Sequence, residues 1–385
     1  VCKVPVMKAK KTRVIHYCNQ LSLGGTEKTM ELFCKYLPKE EFEVFAVSRL
    51  HRPPTTQKIR VSLGALVGHK KSIAKQKLWR SMNARIPNFQ SILGPDKVRF
   101  AESDQDLRKI ILEIGPDILH VHYSGNSEPP ISDPEIMKKV PAVITTNQFE
   151  KENVSPSHQL VRRILFVSNW LLQNKATWAK NDPRTTVVYN PVEKPLTNDD
   201  LRSELGISKD TFVIGRVGRP DPGIHDPISL DAYARIETDK TLFLALSPPD
   251  NMVAQARELK LKNFRVLPPT PDPLWLSKFY NTIDVLAHAR KDGETFGCNI
   301  AEAMVHGKPV VSHISRVMDA QTEVIGNCGY IAPYGDQDAY AEYLRQLRDN
   351  STNRSELARQ AKQRALDEFE AERLTLRLSE IYKNE

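Results

Sequence analysis

The alternation of short apolar runs with helical stretches is the feature that most constrains the fold of this chain. Runs of four to seven residues recur along both halves, and apolar residues at helical spacing follow them, as at Met30, Phe33 and Leu37. This pattern is typical of parallel sheets covered by helices on both faces, so we predict an α/β fold with two doubly wound units. The predicted strands are Arg13–Asn19, Phe42–Ser48, Ile118–His122, Ala142–Thr146, Ile164–Ser168 and Thr186–Tyr189 in the first half, and Phe212–Val217, Thr241–Leu246, Phe264–Leu267, Ile283–Ala287 and Pro309–Ser312 in the second.

A proline-containing acidic segment, Asn190–Asp200, separates the two sets of strands and indicates a hinge. We therefore expect an N-terminal domain at residues 1–190 and a C-terminal domain at residues 191–365, followed by residues 366–385 as a helix that could cross back to the first domain. Helices are predicted over Asp338–Arg348 and Ser355–Tyr382. Doubly wound sheets bind ligands beyond the carboxyl ends of their strands, so two such units facing each other predict a cleft between the domains.

The composition narrows the class of protein. No apolar run approaches the ~20 residues of a spanning helix, and the basic start, Val1–Lys11, lacks the apolar stretch of a secretory signal. The five cysteines contain no C-x-x-C pair, which argues against a disulfide framework and a zinc site and favours a reducing cytoplasm. They are Cys2, Cys18, Cys34, Cys298 and Cys328.

Charge is distributed unevenly between the halves. Residues 1–190 contain 30 lysines and arginines against 17 acidic residues, whereas residues 191–385 contain 25 against 30. The stretch Val44–Pro95 has ten basic residues, interleaved apolar residues and no acidic one, which suits phosphate groups of a lipid or glycan, or an anionic membrane. A solvated basic face with no ligand is the open alternative, and nucleic acid is disfavoured because no recognised motif accompanies the charge. The basic residues are Arg49, Arg52, Lys58, Arg60, Lys70, Lys71, Lys75, Lys77, Arg80 and Arg85.

Two short motifs in the first half place polar groups where strands are predicted to end. Gly24 and Gly25 lie before a helix that Thr26 could cap, where glycine allows positive φ and lets an anion approach the backbone; a plain turn is the alternative. His120 and His122 share one face of a strand, and we expect His122 at the crevice rim and His120 packed against the sheet. No third ligand is evident nearby, so a metal pair is not predicted.

A segment of the second half carries the strongest signal. A predicted strand leads into a loop that holds Glu294, a helix begins near Asn299, and Glu302 lies in its early turns. Backbone amides of Phe296–Asn299 can hold a diphosphate, and carboxylates on either side can accept hydrogen bonds from sugar hydroxyls. The alternative is that Glu302 complements the helix dipole and that Glu294 is solvated.

This segment resembles the E-x7-E signature of retaining glycosyltransferases with the GT-B fold, in particular family 4. The resemblance runs from about residue 13 to the C-terminus and weakens over residues 50–100. It implies two Rossmann-like domains that face each other across a cleft. The further motifs that occur in the family's order are Leu23–Glu27, Pro116–His122, Val188–Val192 and Ile214–Pro220.

The resemblance implies a role for individual residues. Glu294 is similar to the family glutamate that binds hydroxyls of the donor sugar, and Glu302 to the one that holds the nucleotide ribose. Arg219 matches the arginine that pairs with the diphosphate, and His122 resembles the histidine beside the reacting centre. The other implied donor-binding positions are Gly24, Gly25, Phe296, Gly297 and Cys298.

One position departs from the family pattern. The family usually has a lysine five residues after the arginine, as a second cation on the leaving diphosphate, and here that position is Ile224. Removal of one electrostatic stabiliser can cost about 2–4 kcal/mol at a transition state. Either His225 or a basic side chain of the first domain substitutes, or the chain is slow or inactive.

The leading hypothesis is a retaining glycosyltransferase that moves a sugar from a nucleoside diphosphate donor to a glycan, lipid-linked or other hydroxyl acceptor. We expect no metal or other cofactor, since helix amides and Arg219 can meet the charge on the phosphates, and we expect Asp104–Asp106 and Asp336–Asp338 to be helix starts. The alternative is a degenerate GT-B protein that binds a sugar nucleotide with little or no turnover. We expect a cytoplasmic location, peripheral at a membrane.

Overall fold

The computed structural model describes residues 10–50, 55–66, 69, 71–73, 81–123 and 128–385. These residues form two compact units, neither of which is one continuous segment. The first unit is the chain up to Leu165 together with Asn181–Thr186 and Thr375–Glu385, and the second is Phe166–Lys180 together with Val187–Leu374.

The first sheet has seven strands. They are β1 (Thr12–Cys18), β2 (Phe42–Arg49), β3 (Val98–Ala101), β4 (Ile118–Tyr123), β5 (Ala142–Asn147), β6 (Arg163–Phe166) and β7 (Thr185–Val187). Their order across the sheet is β3-β2-β1-β4-β5-β6-β7, and β1 pairs in parallel with both β2 and β4. Every residue of β4 and β5 is buried, as expected for a sheet covered on both faces. The strand order reverses between β1 and β4, and their carboxyl ends mark the crevice of this sheet.

The second unit contains a six-stranded parallel sheet and a separate strand pair. Its strands are β8 (Phe212–Val217), β9 (Thr241–Leu246), β10 (Phe264–Leu267), β11 (Val285–Ala287), β12 (Gly293–Glu294), β13 (Val310–His313), β14 (Met318–Asp319) and β15 (Gly329–Ala332). The sheet order is β10-β9-β8-β11-β13-β15, and β12 pairs with β14. The order reverses between β8 and β11, whose carboxyl ends mark the crevice of this unit.

Helices connect the strands of both sheets. Their bounds are α1 (Gly25–Tyr36), α2 (Thr55–Leu66), α3 (Ile86–Leu93), α4 (Asp104–Ile114), α5 (Pro129–Ser132), α6 (Pro134–Lys139), α7 (Asn169–Asn174), α8 (Ile228–Ala234), α9 (Asp250–Glu258), α10 (Pro273–Thr282), α11 (Cys298–Val305), α12 (Ala320–Ile325), α13 (Gln337–Asp349), α14 (Ser351–Glu368) and α15 (Ala371–Lys383). Asp104 and Asp106 lie in the first turn of α4, and Asp336 caps α13, so both aspartate motifs are helix starts as predicted. No helix within the described ranges has both the length and the apolar character needed to cross a membrane.

The C-terminal helix is interrupted where the sequence predicts continuity. Periodicity predicts one helix over Ser355–Tyr382, whereas α14 and α15 are separated by two residues. Val192 causes the break, because its amide donates to the carbonyl of Phe369 at 2.8 Å and its carbonyl accepts from the amide of Ala371 at 2.9 Å. The ring of Phe369 is fully buried and packs edge-on against two other aromatic rings. Burial of this ring favours the break over a continuous helix.

Candidate functional site

The N-terminus of α11 is the part of the second unit best suited to an anion. Gly297 caps this helix with a φ of 98°, a left-handed conformation that favours glycine. The amides of Cys298 and Asn299 begin the helix, and no carbonyl within the helix can accept from them. The structure therefore provides the helix start that the sequence predicts, one residue earlier than expected.

A turn after β8 lies beside this helix end. The side-chain amide of Asn299 donates to the carbonyl of Val217 at 2.9 Å, which ties the first turn of α11 to the last residue of β8. Arg219 follows in the turn and is exposed, and no acidic residue in the described part of the chain pairs with its guanidinium. A predicted phosphate-binding cation is therefore available beside the helix N-terminus.

Glu294 is held in a network of charged groups. Its Oε1 lies 3.2 Å from Nε2 of His288 and accepts from Nη1 of Arg290 at 3.2 Å. Its backbone amide donates to the side chain of Gln321 at 3.0 Å. Burial raises the pKa of Glu294, but the charges of Arg290 and Arg219, together with the hydrogen bond from His288, outweigh burial and hold the pKa below its usual value. The carboxylate is thus ionised and only 15% exposed, which excludes the solvated alternative.

Glu302 lies in α11 and has a fixed orientation. Its carboxylate accepts a hydrogen bond from the hydroxyl of Tyr280 at 2.7 Å. Burial raises the pKa of Tyr280, and the charge of Glu302 raises it further, so the phenol keeps the proton that it donates. An oriented carboxylate can accept from a ligand hydroxyl with its remaining lone pairs, and the ribose role stays a prediction.

The segment from Gly293 to Cys298 is held by packing and hydrogen bonds. The carbonyl of Thr295 accepts from the hydroxyl of Ser168 at 2.7 Å. Phe296 is 1% exposed, and its ring lies 5.8 and 5.3 Å from two other aromatic rings. Gly293 has a φ of 64°, and a Cβ there would lie 1.7 Å from a carbonyl of β14. Burial raises the pKa of the Cys298 thiol, so the side chain at this predicted position stays protonated.

The position where the resemblance implies a lysine is apolar and buried. Ile224 is 8% exposed. The next residue, His225, has its Nε2 2.8 Å from Oε1 of Gln255. Burial lowers the pKa of His225, so its imidazole is neutral at neutral pH in this conformation. His225 therefore does not supply the second cation here.

Two arginines that motif reasoning did not single out lie at the carboxyl ends of β8 and β11. Arg290 donates to both carboxylate oxygens of Asp292, at 2.9 and 2.6 Å, besides its contact with Glu294. Arg216 is 7% exposed and donates to three backbone carbonyls at 3.1 to 3.3 Å. A charged residue inside the otherwise apolar strand Phe212–Val217 is the sequence signal that could have identified it.

The glycine pair of the first unit lies at the start of α1, with a geometry that differs from the prediction. Gly24 is the N-cap with a φ of −73°, so positive φ is not used, and Thr26 lies within the helix. The buried carboxylate of Glu27, in the first turn, accepts from two polar side chains of the preceding loop at 3.0 and 2.7 Å. A negative charge is already present at this helix start, and diphosphate binding by Gly24 and Gly25 stays a prediction.

The histidines of β4 belong to a buried cluster. His122 lies one residue before the carboxyl end of β4, the end where a rim position was expected, and both His120 and His122 are fully buried. Parallel pairing places His16 beside His120, and this third imidazole corrects the expectation that none lies nearby. Nδ1 of His16 lies 2.9 Å from Nε2 of His122, and His120 bonds to hydroxyls of Tyr382 and Thr146 at 2.5 and 2.7 Å. Hydrogen bonds and stacked rings hold the three imidazoles together, although Nδ1 of His122 has no partner among the described residues.

The basic stretch of the first half is partly compensated by acidic residues from elsewhere. Arg49 pairs with Asp104, and Arg85 pairs with Glu31 at 2.8 Å. The number of basic residues in this stretch therefore overstates the net positive charge at its surface, because Arg49 and Arg85 are paired with carboxylates. Cys2, Arg52, Val67, Lys70, Lys75, Lys77, Leu78, Trp79, Arg80 and the side chain of Lys58 lie outside the described residues.

One protein-family model matches a segment of the second unit. Residues 197–364 match a family model described as "Glycosyl transferases group 1". The matched segment spans less than half of the chain and contains Arg219, Glu294 and Glu302. No curated protein sequence matches the chain.

Solved structures share the fold of the whole chain. A glycosyltransferase from Rickettsia africae matches with a TM-score of 0.69 at 15% identity, over 98% of this chain and 99% of that chain. HepE from Anabaena in complex with UDP-glucose matches with a TM-score of 0.71 at 16% identity, over 97% of this chain and 100% of that chain. Sucrose-phosphate synthase from Thermosynechococcus elongatus matches with a TM-score of 0.69 at 14% identity, over 97% and 99%. These similarities confirm the predicted fold class, a GT-B fold with two Rossmann-like units built on parallel sheets.

Proposed function

We propose that this chain is a retaining glycosyltransferase of family 4 that moves a sugar from a nucleoside diphosphate donor to a hydroxyl of a glycan or lipid-linked acceptor. The observation that carries the proposal is the convergence of a helix N-terminus, the exposed Arg219 and the ionised Glu294 at the carboxyl ends of β8 and β11. Nucleotides bind doubly wound sheets at such a position. The match of residues 197–364, and the fold shared with a protein that binds UDP-glucose, support this substrate class.

In the proposed reaction the bond between the anomeric carbon and the diphosphate breaks, and negative charge builds up on the phosphate oxygens. The amides of Cys298 and Asn299 and the guanidinium of Arg219 would stabilise this charge without a metal. Glu294 would accept from hydroxyls of the donor sugar, and Glu302 from those of the ribose. The acceptor hydroxyl would attack on the face that the leaving group vacates, and the departing phosphate would take its proton, which retains the anomeric configuration.

The first unit is proposed to hold the acceptor at an anionic membrane surface. Ile59, Leu63 and Leu66 recur at helical spacing along α2 and are 57%, 60% and 82% exposed. Arg60 and Lys71 are exposed on or near the same helix. Exposed apolar side chains beside basic ones suit the surface of an anionic bilayer. The resemblance places His122 beside the reacting centre, and its buried Nδ1 has no partner among the described residues.

Two observations favour a second function. The buried Ile224 removes the cation that the family pattern places on the leaving diphosphate, and Glu294 is already paired with Arg290. A GT-B protein with these features could bind a sugar nucleotide and not turn it over. The partner of such a protein would recognise the liganded form.

A panel of ADP-, GDP- and UDP-sugars separates the two functions. Ligand binding is measured by thermal shift, and turnover by release of the nucleoside diphosphate. We expect at least one donor to raise the unfolding temperature and to be consumed. Binding without consumption of any donor would favour the second function, and failure to bind any donor would contradict both.

A further inference from the structure

Arg216 carries a buried positive charge that has no acidic partner among the described residues. It lies on β8 and is 7% exposed. Its Nη1 donates to the carbonyls of Gly218 and Ser247, at 3.3 and 3.1 Å, and its Nη2 donates to the carbonyl of Arg219 at 3.3 Å. The carbonyls accept three hydrogen bonds from the guanidinium but do not neutralise its charge. A buried charge without a counter-charge is costly, so this arrangement suits an anion that arrives with a ligand.

The backbone near this guanidinium has an unusual conformation at Ser247 and a close approach at Gly218. Ser247 has a φ of 50°, a conformation that residues other than glycine rarely adopt. A Cβ added to Gly218 would lie 3.3 Å from Nη2 of Arg216, so a side chain there would press on the guanidinium. Unusual backbone of this kind tends to persist at functional sites.

Neighbouring charges add to the positive potential. Burial, and to a smaller extent the charge of Arg290, lowers the pKa of Arg216 to about 10. Burial also lowers the pKa of His225, and the charge of Arg216 contributes to that shift. Arg290 has carboxylate partners, whereas none of the described carboxylates pairs with Arg216. The excess charge lies beside the N-terminus of α11, because Asn299 bonds to the residue that follows Arg216.

We propose that Arg216 supplies the second cation of the diphosphate site, in place of the lysine that is absent at Ile224, and that the bound diphosphate is its missing counter-ion. The inference rests on the proposed function. Relative to the family pattern, the charge is shifted from the loop after β8 to the strand itself. Arg216 would then provide a buried cation and Arg219 an exposed one, three residues apart along the chain.

Titration with pyrophosphate, and with whichever of ADP, GDP and UDP the wild type binds best, tests this role. Arg216→Gln should weaken both by about tenfold or more, because a charge-assisted contact to phosphate is lost. Its affinity for the corresponding nucleoside should not change. Ile224→Lys in the same variant should recover most of the loss, since the cation returns. Arg235→Gln, which removes a surface arginine paired with Asp338, is the matched control and should bind like the wild type.

Wild-type pyrophosphate affinity in a folded Arg216→Gln variant would overturn the inference. If that variant does not fold, Arg216→Lys is used to test the role instead. Lysine keeps the positive charge but cannot donate to all three carbonyls in the geometry of the guanidinium. Pyrophosphate affinity within about threefold of wild type in Arg216→Lys, with a loss of about tenfold or more in Arg216→Met, would support the role, since only lysine keeps the charge. Equal affinities in these two variants would contradict it. A wild type that binds none of these ligands would contradict the proposed function itself.

Discussion

At the scale of single residues, Glu294 shows how opposing effects set the state of a candidate catalytic group. Burial alone would favour the protonated acid, and the adjacent Arg290 and His288 reverse this preference. The result is a carboxylate that can accept hydrogen bonds from a sugar. Removal of this group should therefore affect turnover far more than folding.

We expect Glu294→Ala to lower turnover by about 100-fold or more, by analogy with loss of one preformed electrostatic contact. Arg290 keeps its pair with Asp292, so the variant should stay folded. Release of nucleoside diphosphate measures turnover, and circular dichroism measures folding. Glu342→Ala, which removes a half-exposed glutamate of α13, should behave like the wild type. Wild-type turnover in Glu294→Ala would contradict the site assignment.

The hydrogen bond between Tyr280 and Glu302 leads to a second prediction about a single residue, which concerns nucleotide affinity. Tyr280→Phe removes the 2.7 Å hydrogen bond and keeps the buried ring. We expect the Kd for the nucleoside diphosphate to rise about three- to tenfold, in keeping with loss of one hydrogen bond, and the Kd for pyrophosphate to stay unchanged. Tyr233→Phe removes another buried tyrosine hydroxyl of the same unit and should leave both constants as they are. An equal rise for pyrophosphate would place Glu302 away from the ribose.

At the scale of elements, the start of α11 determines where backbone amides point. Gly297→Ala forces a side chain into a φ of 98° and places its Cβ 2.9 Å from Ile300. We expect the free energy of unfolding to fall by about 1–3 kcal/mol and diphosphate affinity to fall with it. Gly335→Ala is the control, because Gly335 has a φ of 74° with no atom within 4 Å of an added Cβ.

Gly335→Ala should lose some stability because of its positive φ. It should keep full diphosphate affinity, because an added Cβ there contacts no other atom. Urea unfolding and calorimetric titration give the two quantities. Equal affinity in both variants would mean that the α11 amides do not contact the phosphates.

Elements differ in how well the sequence predicts them. The bounds of β8, β9 and β10 are predicted to the residue, because each is a run rich in apolar residues between turn-forming residues. The short strands β3 and β15 were missed, because both are partly exposed and lack a continuous apolar run. The break before α15 was also missed, because it depends on pairing with Val192, which is distant in sequence.

The same contrast applies to the candidate site. Glu294, Glu302 and Arg219 were proposed from a local motif and its resemblance to a family. Arg216 and His16 were not, because their importance depends on which strands pair and on what lies beyond their ends. The spacing of residues along the sequence does not show which strands pair in the sheet, and the positions of Arg216 and His16 depend on that pairing.

At the scale of the whole molecule, the distribution of charge and apolar surface suggests where the protein works. Leu63 and Leu66 of α2 are largely exposed, and basic residues lie nearby. We expect the double variant Leu63→Ser and Leu66→Ser to lose most binding to vesicles that contain phosphatidylglycerol. Burial of apolar area in the interface would be lost, while electrostatic attraction would remain.

Co-sedimentation with phosphatidylglycerol vesicles and with neutral phosphatidylcholine vesicles measures this effect. Leu376→Ser is the matched control, because Leu376 is 57% exposed and lies on α15. Binding that does not depend on lipid charge, or equal loss in the control, would contradict a membrane role for α2.

The buried imidazoles lead to a prediction about how the free energy of unfolding depends on pH. Burial lowers the pKa of His16 to about 3 and lowers the pKa of His120 and His122 as well. An unfolded chain binds a proton at each histidine near pH 6.5, whereas the folded chain excludes it. Stability is therefore full above about pH 6.5 and falls as the pH decreases, by about 1.4 kcal/mol per pH unit for each excluded proton. His306 in the second unit, whose pKa burial lowers to about 4, adds to this trend.

Urea unfolding between pH 7.5 and pH 5.0 measures the slope. His16→Phe removes one of the three stacked imidazoles, so the slope should fall by about one proton. The exposed His69 provides the control, since His69→Phe should leave the slope unchanged. The three imidazoles contact one another, and loss of one could also free its neighbours to take protons. A slope that falls by clearly more than one proton in His16→Phe would show that hydrogen bonding within the cluster, more than burial, keeps the imidazoles neutral.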